Sequence, residues 1–190
     1  MKKIITFIST LFVVYQVFAQ QTWTLDKNNS SLDFTVKHLT ISEVSGSIRN
    51  FDIKLISNGE DFSDASVEVT GWLTSIDTGN ESRDNDLRSD HFFNVIDYPV
   101  LHFESTSFKK TGDNEYWLTG NLTMHGVTDP VSLNVTFNGT IQQPRTKKTV
   151  AGFRVTGILK RSDFKIGPGM PVFVVSDEVN ILSNLEFIKD

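Results

Sequence analysis

Val131-Ser132-Leu133-Asn134-Val135-Thr136-Phe137-Asn138 puts Val131, Leu133, Val135 and Phe137 on one face of an extended chain and Ser132, Asn134, Thr136 and Asn138 on the other. Successive side chains of a strand point to opposite faces, so this period of two describes a strand with one buried face. The pattern returns on both sides. Leu32, Phe34, Val36 and His38 alternate with Ser31, Asp33, Thr35 and Lys37, and further inward-facing sets are Phe51, Ile53 and Leu55, then Val67, Val69 and Leu73. Towards the end come Ala151, Phe153, Val155 and Leu159, then Val179, Ile181, Leu185 and Phe187. Ser57-Asn58-Gly59, Thr111-Gly112-Asp113-Asn114 and Asn138-Gly139 read as turns between them. About eight or nine antiparallel strands follow, an all-β chain. Period alone does not separate a closed barrel from a two-layer sandwich.

Residues 77–99 break the alternation. Thr78 followed by Glu81 has the spacing of a capping box and predicts one short helix, continued by the charged run Arg83, Asp84, Asp86, Leu87, Arg88 and Asp90 and closed by Phe92-Phe93. A connection this long is either a structural plug built on Leu87, Phe92 and Phe93 or a gate over a ligand.

Met1, Lys2 and Lys3 precede a nearly unbroken apolar run, Ile4 to Phe18, and Val17-Phe18-Ala19 has the small residues of a cleavage site. Residues 1–19 are therefore expected to be a secretory signal peptide, the run being shorter than the roughly 20 apolar residues of a membrane anchor. Residues 20–190 then suit one domain, expected in a periplasmic or secreted setting. Cysteine is absent, which excludes disulfides, thiol nucleophiles and thiolate metal sites. Without Lys2 and Lys3 the net charge is about −7, a surface that repels nucleic acid. His38, His91, His102 and His125 show no metal-ligand spacing, and neither a nucleophile elbow nor a phosphate-cradling glycine loop occurs. No metal, catalytic residue or cofactor is expected, other than a bound ligand.

Several phrases carry a resemblance: Trp23-Thr24-Leu25-Asp26, Phe34-Thr35-Val36-Lys37-His38-Leu39, Val44-Ser45-Gly46-Ser47, Arg83-Asp84 leading to Leu87-Arg88-Ser89, Phe92-Phe93, Tyr98-Pro99, Phe103-Glu104-Ser105-Thr106, Leu122 to Val131, and Arg161-Ser162-Asp163-Phe164. In that order they resemble the YceI-like family from about Thr22 to the C-terminus. The resemblance implies a lipocalin-like antiparallel barrel of about eight strands, with an apolar tunnel for a polyisoprenoid or related amphipathic lipid. Two positions depart from the family pattern: Asp86, where histidine is frequent, and Lys165, where glycine is usual.

On this reading the protein is a carrier or reservoir for an isoprenoid, quinone or fatty-acid-like molecule, not an enzyme. Two rival readings stay open, an enzyme acting on a lipid in the same tunnel and a structural barrel with a filled core. Candidate tail contacts are Phe34, Val36, Phe51, Ile53, Phe103, Leu122, Met124, Val135, Phe137, Phe153 and Phe187, with Phe92 and Phe93 at the end of the tunnel. A charge at Phe137 is expected to abolish lipid retention. Arg83 and Arg88 are candidates for a polar headgroup because a guanidinium offers paired donors, although nearby Asp84, Asp86 and Asp90 could pair with them instead. His38 and His125 are further headgroup candidates, with a structural hydrogen-bonded role as the alternative. Arg145, Lys147 and Lys148 form a basic tip that could touch an anionic membrane transiently or stay solvated; whether two barrels form a homodimer is left open.

Overall fold

The computed structural model describes residues 21–59 and 61–190; the signal-peptide reading of residues 1–19 lies outside them. Eleven strand segments run in chain order: β1 (Thr22–Leu25), β2 (Asp33–His38), β3 (Ser42–Ile48), β4 (Phe51–Ile56), β5 (Ser66–Trp72), β6 (Ile76–Asp77), β7 (Val100–Gly112), β8 (Glu115–Met124), β9 (Val127–Gln142), β10 (Thr149–Lys160) and β11 (Val175–Lys189). They build eight strands, because β1 with β2, β3 with β4 and β5 with β6 are each one interrupted strand. The breaks lie side by side: Ile48 N–H donates to the Leu32 carbonyl, Arg49 N–H to Ser75 and Trp72 N–H to Asn50.

Each strand pairs antiparallel with the next, and β11 closes the circle by pairing with β1 through Trp23↔Lys189 and Leu25↔Phe187, and with β2 through Val179↔Val36 and Ile181↔Phe34. The result is a closed antiparallel β-barrel with no free strand edge around most of its circumference. The exception is β6, which among the described residues pairs only with β3. Its other side is covered by the helix α1 (Glu81–Arg88), whose Arg88 Nη2 donates to the Ile76 carbonyl at 2.9 Å.

The structure differs from the sequence reading at two places. The helix cap is Asn80, whose side chain accepts from Arg83 N–H at 3.0 Å, whereas Thr78 turns inward and donates to Asp84 Oδ1 at 2.6 Å. Asp84 is buried, so its hydrogen bonds to Thr78 outcompete the shorter-range cap. Asn138-Gly139 is not a turn: β9 runs through it, Gly139 has φ +108°, and the register with β10 shifts beside it, which makes it a bulge. The turn falls at 143–148, so the basic Arg145–Lys148 tip does lie between two strands.

The barrel is solid at one end and hollow at the other, and inward residue size accounts for the difference. At the end holding the chain termini, the inward positions carry Trp23, Phe137, Phe153 and Phe187. The loop 57–65 adds Phe62 from below, completely buried and within about 5 Å, centroid to centroid, of the Trp23, Phe137 and Phe153 rings. Rings of this size meet at the axis of an eight-stranded barrel. Towards the other end the inward faces carry Val36, Val44, Val69 and Val179 with Gly46 and Gly157, which are too short to meet. At Gly46 a methyl would sit 2.5 Å from the Phe34 ring, and at Gly157 it would collide with Leu133. Glycine therefore lets each cross-strand neighbour lie flat along the wall, leaving the axis open.

Asp64 holds the sealing loop in shape. Its carboxylate accepts from Ser57 Oγ at 2.6 Å and from the backbone N–H of Asn58 and Gly59, and these bonds, the Ser57 hydroxyl first, lower its pKa from 3.8 to about 2. The depressed folded-state value means that stabilisation is present above the unfolded pKa near 3.8 and is lost as pH falls towards 2. Asp64→Asn is therefore expected to flatten the loss of stability between pH 4 and pH 2, read by denaturant midpoints at stepped pH. Unchanged acid sensitivity would remove Asp64 from the sealing loop's energetics.

Candidate functional site

The hollow end encloses a cavity of about 410 Å³ walled almost wholly by hydrocarbon. Phe34, Val36, Ile53, Phe103, Leu122 and Met124 all lie on its wall, as the alternation predicts. Phe92 and Phe93 also line it, with Leu87 beside them. The 77–99 segment therefore contributes wall and roof, between the free side of β6 and the start of β7.

Five other predicted contacts face inward but are not on the wall. Val135, Phe137, Phe153 and Phe187 belong to the aromatic seal, and Phe51 is buried core near the strand breaks. Alternation gives the face of a strand and carries no information on height along the barrel, so it does not separate these five from the others. A charge at Phe137 is accordingly expected to destabilise the seal itself, and its effect on lipid retention would be indirect.

The cavity meets solvent at the end opposite the seal, where exposed Asp86 and Lys160 and half-buried His38 and Arg83 stand on its rim. Arg83 is held there by its neighbours: Nε donates to Thr78 Oγ1 at 2.7 Å and Nη2 to the Thr78 carbonyl at 2.9 Å. The Thr78 hydroxyl in turn donates to buried Asp84, so a chain of three side chains fixes the guanidinium. Its Nη1 makes no hydrogen bond within the described residues. Asp86 accepts from His91 Nδ1 at 2.9 Å, and that hydrogen bond raises the imidazole pKa.

Arg88 and His125 are not part of this rim. Arg88 bonds the Ile76 carbonyl and Asn85, which clamps α1 to the barrel, and its buried Nε has no partner among the described residues. His125, at φ +51° in the β8–β9 turn, bonds the Phe164 carbonyl through Nδ1 at 3.1 Å and packs edge-on against Tyr98. Both therefore have structural roles in place of the predicted headgroup contact. At the other departing position, Lys165 has φ +56° and ends a 3-10 turn over Arg161–Phe164, a left-handed conformation that glycine adopts more cheaply.

Arg161 is buried on the cavity wall, a role that the sequence pattern alone does not assign. Its five N–H groups all find backbone carbonyls: Nε to Ser176 at 3.2 Å, Nη1 to Ile166 at 3.0 Å and Gly167 at 2.7 Å, and Nη2 to Met170 at 2.6 Å and Val175 at 3.3 Å. It gathers the 165–175 loop around one charge and has no donor left for a ligand. The available signal was an arginine a few residues before a Gly/Pro-rich loop, whose bare carbonyls need donors from somewhere.

The YceI-like domain model matches residues 23–187, and the chain belongs to the YceI-like family. Protein YceI of Salmonella agona is 36% identical over 190 residues, covering 97% of this chain and 95% of that protein. The crystal structure of the Campylobacter jejuni YceI protein superposes with a TM-score of 0.74 at 29% identity, over 81% of this chain and 90% of that one. A Saccharophagus degradans domain described as polyisoprenoid-binding shares the fold at 17% identity, with a TM-score of 0.62 over 88% of this chain and 98% of that one.

Proposed function

We propose that this protein is an exported carrier or reservoir for an amphipathic lipid, an isoprenoid, quinone or fatty-acid-like molecule, which it holds without converting it. The observation that carries the reading is the hydrocarbon-walled cavity, sealed below by aromatic rings and open above at a charged rim. Each methylene taken from water into such a space gains about 0.8 kcal/mol, so a tail of a few isoprene units is bound by its length alone. Family membership and the polyisoprenoid-binding neighbour support the same class of guest. The tail lies against Phe34, Val36, Phe103 and Leu122, while the headgroup stays at the rim, where Arg83 Nη1 and the His38 ring are placed to donate. Export rests on the signal-like segment Met1 to Ala19.

Organic extraction of freshly purified protein followed by mass spectrometry tests this. One unchanged lipid per chain supports a carrier, converted lipid replaces it with an enzyme, and an empty extract from protein that also refuses added lipid leaves only a structural barrel. A filled cavity provides the control. Val69 and Val179 line the wall and are partly exposed to the hollow, so Val69→Trp with Val179→Trp is expected to cut lipid content at least tenfold with no loss in Tm. Full lipid content in that double variant would place the guest elsewhere.

A further inference from the structure

The cavity rim carries large apolar side chains that face water. The β2–β3 turn presents Leu39 at 47% and Ile41 at 85% exposure, and the turn that follows Pro171 presents Val172 at 65% and Phe173 at 63%. The two turns are held together, Leu39 N–H donating to the Val174 carbonyl at 2.9 Å. Both are continuous with the cavity, since His38 and Val174, the next residues along the chain, stand on its wall.

The backbone at the first turn is strained. Leu39 has φ +50° and Thr40 φ +61°, and Ile41 N–H donates to the His38 carbonyl, which together make a type I′ turn. Such turns strongly favour Asn-Gly at their centre, because a branched or bulky residue at positive φ is disfavoured. A leucine and a β-branched threonine in those places are conformationally costly, and strain of this kind persists where a site uses the residue. What the strain maintains here is an apolar tip beside an opening to an apolar cavity.

We propose that Leu39, Ile41, Val172 and Phe173 insert into the surface of a lipid bilayer and hold the cavity mouth against it while a guest passes. This rests on the lipid-binding reading above. Two narrow, convex tips fit a bilayer, which moulds to them, better than they fit a second protein, which would need a matching hollow. The position of the tips also removes the barrier to exchange, since a tail moving between membrane and cavity would cross no water. The Arg145–Lys148 tip lies at the sealed end, beside the chain terminus, and is turned away from the same membrane. With an acidic chain and no basic cluster among the inserted residues, attachment is apolar in origin.

Flotation with phosphatidylcholine vesicles tests the proposal, using wild type, the triple variant Leu39→Asn, Ile41→Ser, Phe173→Ser, and a second variant with Arg145, Lys147 and Lys148 changed to alanine. Wild type and the second variant are expected to float equally, and to keep doing so from about 0.1 to 1 M salt, where charge attraction is screened. The triple variant is expected to lose at least ten-fold of its vesicle-bound fraction and to take up a pyrene-labelled fatty acid from vesicles at least ten-fold more slowly. It should load the same probe from dilute ethanol as wild type does, with a Tm no lower, since Asn suits the turn.

Equal flotation by the triple variant would overturn the proposal, as would loss of flotation in the alanine variant or in high salt. If wild type instead sediments as a dimer that the triple variant disperses while neither floats, the rim meets a second copy and the proposal fails. Failure of the lipid-binding reading looks different: neither protein would acquire the probe from ethanol, whatever the flotation result.

Discussion

Arg161→Met is expected to lower the unfolding free energy by about 3–5 kcal/mol, and to leave the surviving folded protein with a loose cavity mouth. The size follows from what the guanidinium satisfies. Of its five carbonyl partners, those of Ile166 and Gly167 lie in fully buried surroundings, and each buried acceptor left without a donor costs about 1–3 kcal/mol. The methionine fills similar space and removes every donor. Arg161→Lys keeps the charge but concentrates three donors on one atom, so it is expected to recover less than half of the loss. Urea denaturation gives the stability, and amide exchange over 165–175 gives the second effect, because released carbonyls free the loop that carries Val172 and Phe173. A methionine variant with native stability and unchanged exchange there would mean that the loop is held by its own prolines and turns.

Phe62→Ala is expected to cost about 3–5 kcal/mol, the range for emptying the place of a fully buried ring. Phe62 sits at φ +54° and is held there by packing, with three rings around it and the Tyr116 hydroxyl bonded to the neighbouring Asp61 carbonyl. Alanine keeps the unfavourable backbone and loses the contacts that compensate for it; Phe62→Leu should cost less than half as much. Thermal unfolding checks the magnitude. Lipid content per folded chain is expected to persist, because the seal is not the cavity wall. Loss of lipid in a still-folded Phe62→Ala protein would show that the guest reaches the seal.

These two residues also mark where the sequence stops being informative. Strand identity and the inward face were legible from alternation, since a one-residue slip would expose every apolar side chain of the strand. Closure into a barrel was not, and came through the family phrases. Height along the axis was also hidden: Phe137 and Phe103 have the same pattern in sequence, yet one is seal and the other cavity wall. The contrast is visible afterwards as composition, aromatic at the inward positions near the termini and valine with glycine towards the β2–β3 turn. Arg83 was legible as a candidate because a guanidinium in the long connection offers paired donors to a polar headgroup. Arg88 and His125 were not separable from it, because their carbonyl partners, Ile76 just before the connection and Phe164 well beyond His125, become neighbours only on folding.

A pocket closed at the bottom behaves as a cul-de-sac. A molecule with one greasy arm and one wet end can occupy it in only one direction, arm first, and must back out the way it came. If a lipid is held there as proposed, a second one cannot pass it, so the pocket must empty before it fills again.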